Sequence, residues 1–250
     1  MKKVVHLLSG PRNISTALMY AFAQHSEFEV LDEPFYAHYL DQVKAREPHP
    51  VEDEILTSMP KSREAVVAQI NALADDQNLF VKNMAHHCLD SEPNYMANWH
   101  NVILIRHPKK LLASFSKVIE RPSLEAIGLK KACELADFFD RSSIPYLIIE
   151  SDQLMVDPPT YLEQMCDALD LVYEPGMCQW PKGGIAADGI WAPHWYGNVH
   201  QSTGFIKPSK KRDLNHWNEH LESVFQEALP YYQQLHQNAL INKQTNVTEI

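Results

Sequence analysis

The stretch Val4-Val5-His6-Leu7-Leu8-Ser9-Gly10-Pro11-Arg12-Asn13-Ile14-Ser15-Thr16 decides the reading of the fold. Residues 4–8 form a short apolar run of the length of a buried strand. The run is too brief, and too polar at His6, for the core of a signal peptide. Over residues 15–24, Leu18, Ala21 and Phe22 recur at helical spacing. A strand that turns straight into a helix gathers backbone N–H groups and the positive end of the helix dipole at one spot. Ser15 and Thr16 add hydroxyls there, and Arg12 adds a permanent charge. Those parts suit a phosphate or sulfate; they equally suit a helix that Ser15 or Thr16 merely caps. Ile14 stands where a lysine would precede Ser15, so the G-x-x-x-x-G-K-[ST] loop of ATP-hydrolysing proteins is missing.

The same rhythm continues outward. Residues 28–31, 79–81, 102–105 and 146–149 read as further strands. Leu111, Leu112, Phe115 and Val118 follow one of them at helical spacing; Leu124, Ile127, Leu135, Phe138 and Phe139 mark another helix, and residues 161–169 a third. Continuous apolar strands between helices predict an α/β fold, a central parallel sheet in a three-layer α/β/α arrangement. Residues 46–62, with Pro48, Pro50 and Pro60, read as a surface excursion. Residues 174–213, rich in Pro and Gly and carrying Trp191, Trp195, Tyr196 and Phe205, read as a lid or binding loop. Those aromatics could line a pocket or simply hold the loop down. Leu214, Trp217, Leu221, Val224 and Ala228 form the stripe of a last helix, which Pro230 is expected to kink. Residues 1–241 read as one domain and 242–250 as a frayed tail.

Composition narrows the partners. The 250 residues carry 22 Lys+Arg against 32 Asp+Glu, a net charge of −10. So acidic a chain has no general field for nucleic acid or an anionic membrane, and a polyanion site has to be built locally. The 4 cysteines form no C-x-x-C pair and read as buried reduced thiols. No apolar stretch reaches the roughly 18 residues of a membrane span, so a cytoplasmic protein is expected. His216 and His220 share a helical face, but no third ligand accompanies them, and no metal is expected.

A second motif is Val102-Ile103-Leu104-Ile105-Arg106-His107-Pro108, followed by Ser114 on the next helix. Ligands of open α/β sheets collect at the carboxyl ends of strands, where Arg106 falls. Arg106 and Ser114 there could fork onto a second phosphate, or be an ion-pair residue and a neutral helix position.

Taken together, Pro11-Arg12-x-x-Ser15-Thr16 and Ile105-Arg106-His107-Pro108 with Ser114 resemble the sulfotransferases related to P-loop proteins. The likeness is specific over residues 1–40 and 100–118. It implies a P-loop nucleotide hydrolase-like fold and 3′-phosphoadenosine 5′-phosphosulfate (PAPS) as co-substrate. It implies that Gly10, Pro11, Arg12, Asn13, Ile14, Ser15 and Thr16 bind the 5′ end, and Arg106 and Ser114 the 3′-phosphate. Lys207, with Ser202, Thr203 and Gly204, would belong to a loop closing on the nucleotide. The loop departs from the family pattern at Asn13-Ile14, where a glycine is usual; Ile14 restricts the backbone and crowds the anion.

The reaction so implied is in-line sulfuryl transfer to a hydroxyl or amine of a small-molecule acceptor. Arg12 would meet the developing charge. The proton would pass to Glu33, in Asp32-Glu33-Pro34-Phe35 after the second strand, or to His86 after the third. Each has a plainer reading: Glu33 as a helix N-cap acid, His86-His87 as a solvated pair. Lys82 could contact sulfate. The rival classes are a P-loop kinase using ATP and a non-catalytic nucleotide-binding relative. The acceptor's identity and the oligomeric state stay open.

Overall fold

The computed structural model describes residues 2–44, 49–205 and 217–243. Five parallel strands form its sheet: β1 (Val4–Ser9), β2 (Phe28–Asp32), β3 (Asn78–Met84), β4 (His100–Ile105) and β5 (Tyr146–Glu150), in the order β2-β3-β1-β4-β5. The helices are α1 (Ser15–Phe22), α2 (Tyr36–Gln42), α3 (Glu52–Ser58), α4 (Arg63–Asp76), α5 (Pro108–Phe115), α6 (Leu129–Arg141), α7 (Ser151–Leu154), α8 (Pro158–Ala168), α9 (Ala192–Trp195), α10 (Gly197–His200) and α11 (Glu219–His236).

Every residue of β1 is buried, because β1 is central and covered on both faces. Its side chains alternate between two cores. Val4 and Leu8 join residues of α4, α5, α6 and α11; Val5 and Leu7 join residues of α1, α2, α3 and α8. The expected three layers follow. His6, buried in the middle of β1, stays neutral: burial lowers its pKa to about 4, and its ring nitrogens meet Asn101 and Asn83 on the flanking strands.

Several boundaries differ from the sequence reading. α5 stops at Phe115, leaving Val118 49% exposed outside it. Leu124 and Ile127 precede α6 rather than belonging to it, since Gly128 at φ 74 ends one backbone direction and starts another. The excursion at 46–62 contains α3, whose first turn holds Glu52, Asp53 and Glu54 where the helix dipole favours acids, and which buries Ile55. The segment from 174 is packed down over its described part, with Trp180, Trp191 and Tyr196 all buried. α11 runs through Pro230 without ending there. Asn242 is fully buried, its amide donating to the carbonyls of Gln153 and Asp157, so it belongs to the fold rather than to a frayed end. Leu214, Lys207 and His216 lie outside the described residues.

Candidate active site

Because all five strands are parallel, their carboxyl ends share one edge. β1 sits between β3 and β4, so the turn after β1 is flanked by residues 84–87 on one side and Arg106 on the other. A cleft of about 1190 Å³ opens at this edge. Arg12, Ser15, Thr16, Arg106 and Ser114 line it, and so do Glu33 and His86. The residues nominated on two distant motifs therefore converge on one cavity.

The turn is anchored from behind. Asn13 is buried and its amide donates to the carbonyl of Leu104, 3.1 Å away in β4. The Ser151 hydroxyl, at the end of β5, lies 2.8 Å from the carbonyl of Asn13 and 3.0 Å from that of Ile105. Arg106 donates through Nη1 to the carbonyl of Arg12. A Cβ on Gly10 would stand 2.3 Å from the Ile127 carbonyl, so only glycine fits there. Gly10 and Asn13 thus support the turn from outside the cleft, while Pro11, Arg12, Ile14, Ser15 and Thr16 face it. Arg12 and Ile14 hold left-handed backbone at φ 61 and 62. Ile14, the residue expected to resist that geometry, adopts it, half-buried against the second core.

The donors of this turn are underused. The first-turn N–H groups of α1 have no partners within the helix. Arg12 Nε donates to Ser114 Oγ at 3.1 Å, which joins the two motifs directly. Burial pulls the Arg12 guanidinium below its ordinary pKa, as expected of a cation short of water. Arg106 is buried, and its Nε finds no acceptor among the described residues. A buried, unpaired guanidinium N–H is costly unless an anion completes it. That rules against reading Arg106 as a surface ion-pair residue.

The far side of the cleft is built differently. Lys82 is fully buried and reaches Asp32 Oδ1 at 2.8 Å, Glu33 Oε1 at 2.5 Å and the Tyr196 hydroxyl at 2.6 Å. Burial works to lower the Lys82 pKa, and the two carboxylates outweigh it, so the ammonium is held. Lys82 is spent on this network and does not line the cleft, which removes it as a sulfate contact. Glu33 is no helix cap: it is buried, at φ 47, with its carboxyl raised above the ordinary value by burial against the pull of Lys82. The His86-His87 pair is not solvated. His87 is buried and stacks between Tyr36 and Tyr39, with ring centroids 4.8 and 4.6 Å away. His86 Nδ1 is buried without a partner among the described residues, and burial, helped by His49, lowers its pKa to about 3.

Sequence reading missed Ser151, Tyr36 and Tyr39, took His87 for half of a solvated pair, and noticed Tyr196 only as one of four clustered aromatics. Ser202 and Gly204 line the cleft and Thr203 does not. Among the described residues no group of three or more His, Cys, Asp and Glu could hold a metal ion, and no helix is long and apolar enough to cross a membrane.

Comparison with known proteins agrees with this architecture. A family model described as "Sulfotransferase domain" matches residues 1–239. The curated relative "Branched-chain-amino-acid aminotransferase-like protein 1" of Arabidopsis thaliana is 35% identical over 235 residues, 92% of this chain and 41% of its own length. Its counterpart "protein 2" is 37% identical over 83% of this chain and 37% of its own length. The chain thus spans about two fifths of these relatives. Among solved structures, a sulfotransferase from Alicyclobacillus acidocaldarius superposes with a TM-score of 0.54 at 10% identity, covering 96% of this chain and 98% of its own. A sulfotransferase domain from the curacin biosynthetic pathway gives 0.52 at 16% identity, covering 91% and 97%. The family match over residues 1–239 and these shared folds account for the strand–turn–helix edge described above: the chain belongs to the sulfotransferase domain family.

Proposed function

We propose that the protein transfers the sulfuryl group of PAPS to a hydroxyl or amine of a small molecule, in the cleft at the carboxyl edge of the sheet. The observation that carries the reading is the convergence of Arg12, Arg106 and Ser114 on one cavity, with Arg106 Nε buried and lacking an acceptor among the described residues. Two phosphate-bearing ends of one nucleotide would supply acceptors to both guanidinium groups at once. The open N–H groups of α1 and the hydroxyls of Ser15 and Thr16 suit the 5′ end; Arg106 and Ser114 suit the 3′-phosphate.

Arg12 and the α1 amides meet the charge that builds on the oxygen between sulfur and the leaving phosphate. Glu33 takes the proton that the acceptor loses as its oxygen or nitrogen bonds to sulfur. His86 competes for that role by position, but a ring held to a pKa of about 3 is a weak base. Tyr36, Tyr39 and Trp195 give the acceptor side an aromatic lining.

Calorimetric titration of the chain with adenosine 3′,5′-bisphosphate, ATP, ADP and AMP tests the reading. Clear preference for the 3′,5′-bisphosphate is expected. Preference for ATP would move the protein to phosphoryl transfer, and binding of none would overturn the reading. Transfer from labelled PAPS to a panel of phenols, sugars and amines then looks for turnover.

A further inference from the structure

The network beneath Glu33 can be counted proton by proton. Lysine has three N–H donors and no acceptor. Lys82 has three acceptors in reach: Asp32 Oδ1, Glu33 Oε1 and the Tyr196 oxygen. The Tyr196 oxygen also accepts from Trp191 Nε1 at 3.0 Å. Its own proton faces Asp32, whose two oxygens are each 2.8 Å away, with Glu33 Oε1 farther at 3.4 Å. Asp32 Oδ2 takes the Gly189 N–H at 3.0 Å as well. Every donor is spent, and three of the four carboxylate oxygens are engaged. The fourth, Glu33 Oε2, has His87 Nδ1 at 3.8 Å, beyond a hydrogen bond.

The charges count the same way. Two carboxylates and one ammonium leave one negative charge in a buried cluster. Among the described residues, the other titratable groups around Glu33 are Tyr36, Tyr196 and His87. Burial holds all three neutral, raising the two phenols and lowering the imidazole.

We infer that Lys82 and Tyr196 are positioning residues which tie down Glu33 Oε1 and leave Oε2 as the atom that accepts the substrate proton. The inference rests on the reading of Glu33 as the base. As the acceptor's oxygen or nitrogen bonds to sulfur, its proton passes to Oε2. The bond from sulfur to the bridging oxygen breaks, and its electron pair stays with the leaving phosphate. Tyr196 comes from the turn between α9 and α10, so the seating of the late segment is a condition for an oriented base. Tyr196 touches no reacting atom in this scheme; it acts through Asp32, Lys82 and Glu33.

The test compares Tyr196→Phe and Glu33→Gln with the wild-type chain. Two readouts are taken: transfer from PAPS to whichever phenol, sugar or amine of the panel is sulfated, and carboxyl-carbon NMR titration of Glu33, its resonance identified by loss in Glu33→Gln. Glu33→Gln is expected to abolish transfer. Tyr196→Phe is expected to lower kcat about tenfold, the worth of one hydrogen bond in a charged network. The KM for PAPS stays unchanged. The acid limb of the rate profile and the Glu33 titration midpoint move together to higher pH, because a stabilised carboxylate loses part of its support. If Tyr196→Phe does not fold, Trp191→Phe removes the N–H that polarises the same hydroxyl, and the same-sign, smaller shift is expected. An unmoved Glu33 midpoint in the folded variant overturns the inference and leaves Glu33 as base. Full activity in Glu33→Gln overturns both.

Discussion

The two sides of the cleft obey opposite rules. Around Arg12 and Arg106, among the described residues, donors outnumber acceptors: first-turn amides are open, one guanidinium Nε is buried without a partner, and the Arg12 side chain donates to a hydroxyl. Around Lys82, donors and acceptors match almost one for one. A surplus of donors is what a surface looks like when an anion completes it. A matched network holds something still. On the proposed function, the side with open donors is the one that binds the nucleotide and the matched side the one that holds the base, so the two are told apart by what each leaves unmade.

Four measurements put that contrast at risk. The largest effect is expected on the matched side. Asp32→Ala strips Lys82, Tyr196 and Gly189 of a shared partner and should cost about 3 kcal/mol of folding stability, seen as a lower midpoint in denaturant. A midpoint unchanged from wild type would mean the network is ornamental. On the open side, Arg12→Ala should leave that midpoint nearly unmoved while transfer from PAPS falls by about 100-fold or more. Comparable loss of stability in both variants would erase the distinction.

The pH profile comes next. Burial raises the Glu33 carboxyl above its ordinary 4.5 and lowers His86 to about 3. A base works deprotonated, so rates should fall as pH drops through the pKa of whichever group serves. An acid limb above 4.5 identifies Glu33; rates flat down to pH 4 identify His86. The smallest effect belongs to Ser114→Ala. It removes one neutral hydroxyl from the side proposed to hold the 3′-phosphate and should weaken adenosine 3′,5′-bisphosphate binding about fivefold, measured by calorimetry.

How much of this was legible in the sequence follows from distance along the chain. The β1–turn–α1 unit could be read because strand period, helix period and polar turn lie within residues 4–22. Arg106 and Ser114 could be read for the same reason, as an apolar strand running into a helix. What they do together could not. The Arg12–Ser114 bond joins residues 102 apart in sequence. Lys82 reads in sequence as a sulfate contact because its partners lie 49, 50 and 114 residues away. The late Pro- and Gly-rich segment resembled a loose lid because nothing local shows that Tyr196 reaches under it to Asp32. The end of α5 and the start of α6 were misjudged because Val118, Leu124 and Ile127 carry on an apolar rhythm that the backbone at Gly128 interrupts.

Arg12, Ile14 and Glu33, none of them glycine, all sit at positive φ along one rim of the sheet. Such conformations cost on the order of 1–3 kcal/mol apiece and endure only where the surroundings insist on them. Warming should therefore undo this rim first, and catalysis should fade several degrees before the sheet melts. Ile14→Gly eases one of the three, and activity in that variant should persist to a higher temperature than in the wild-type chain.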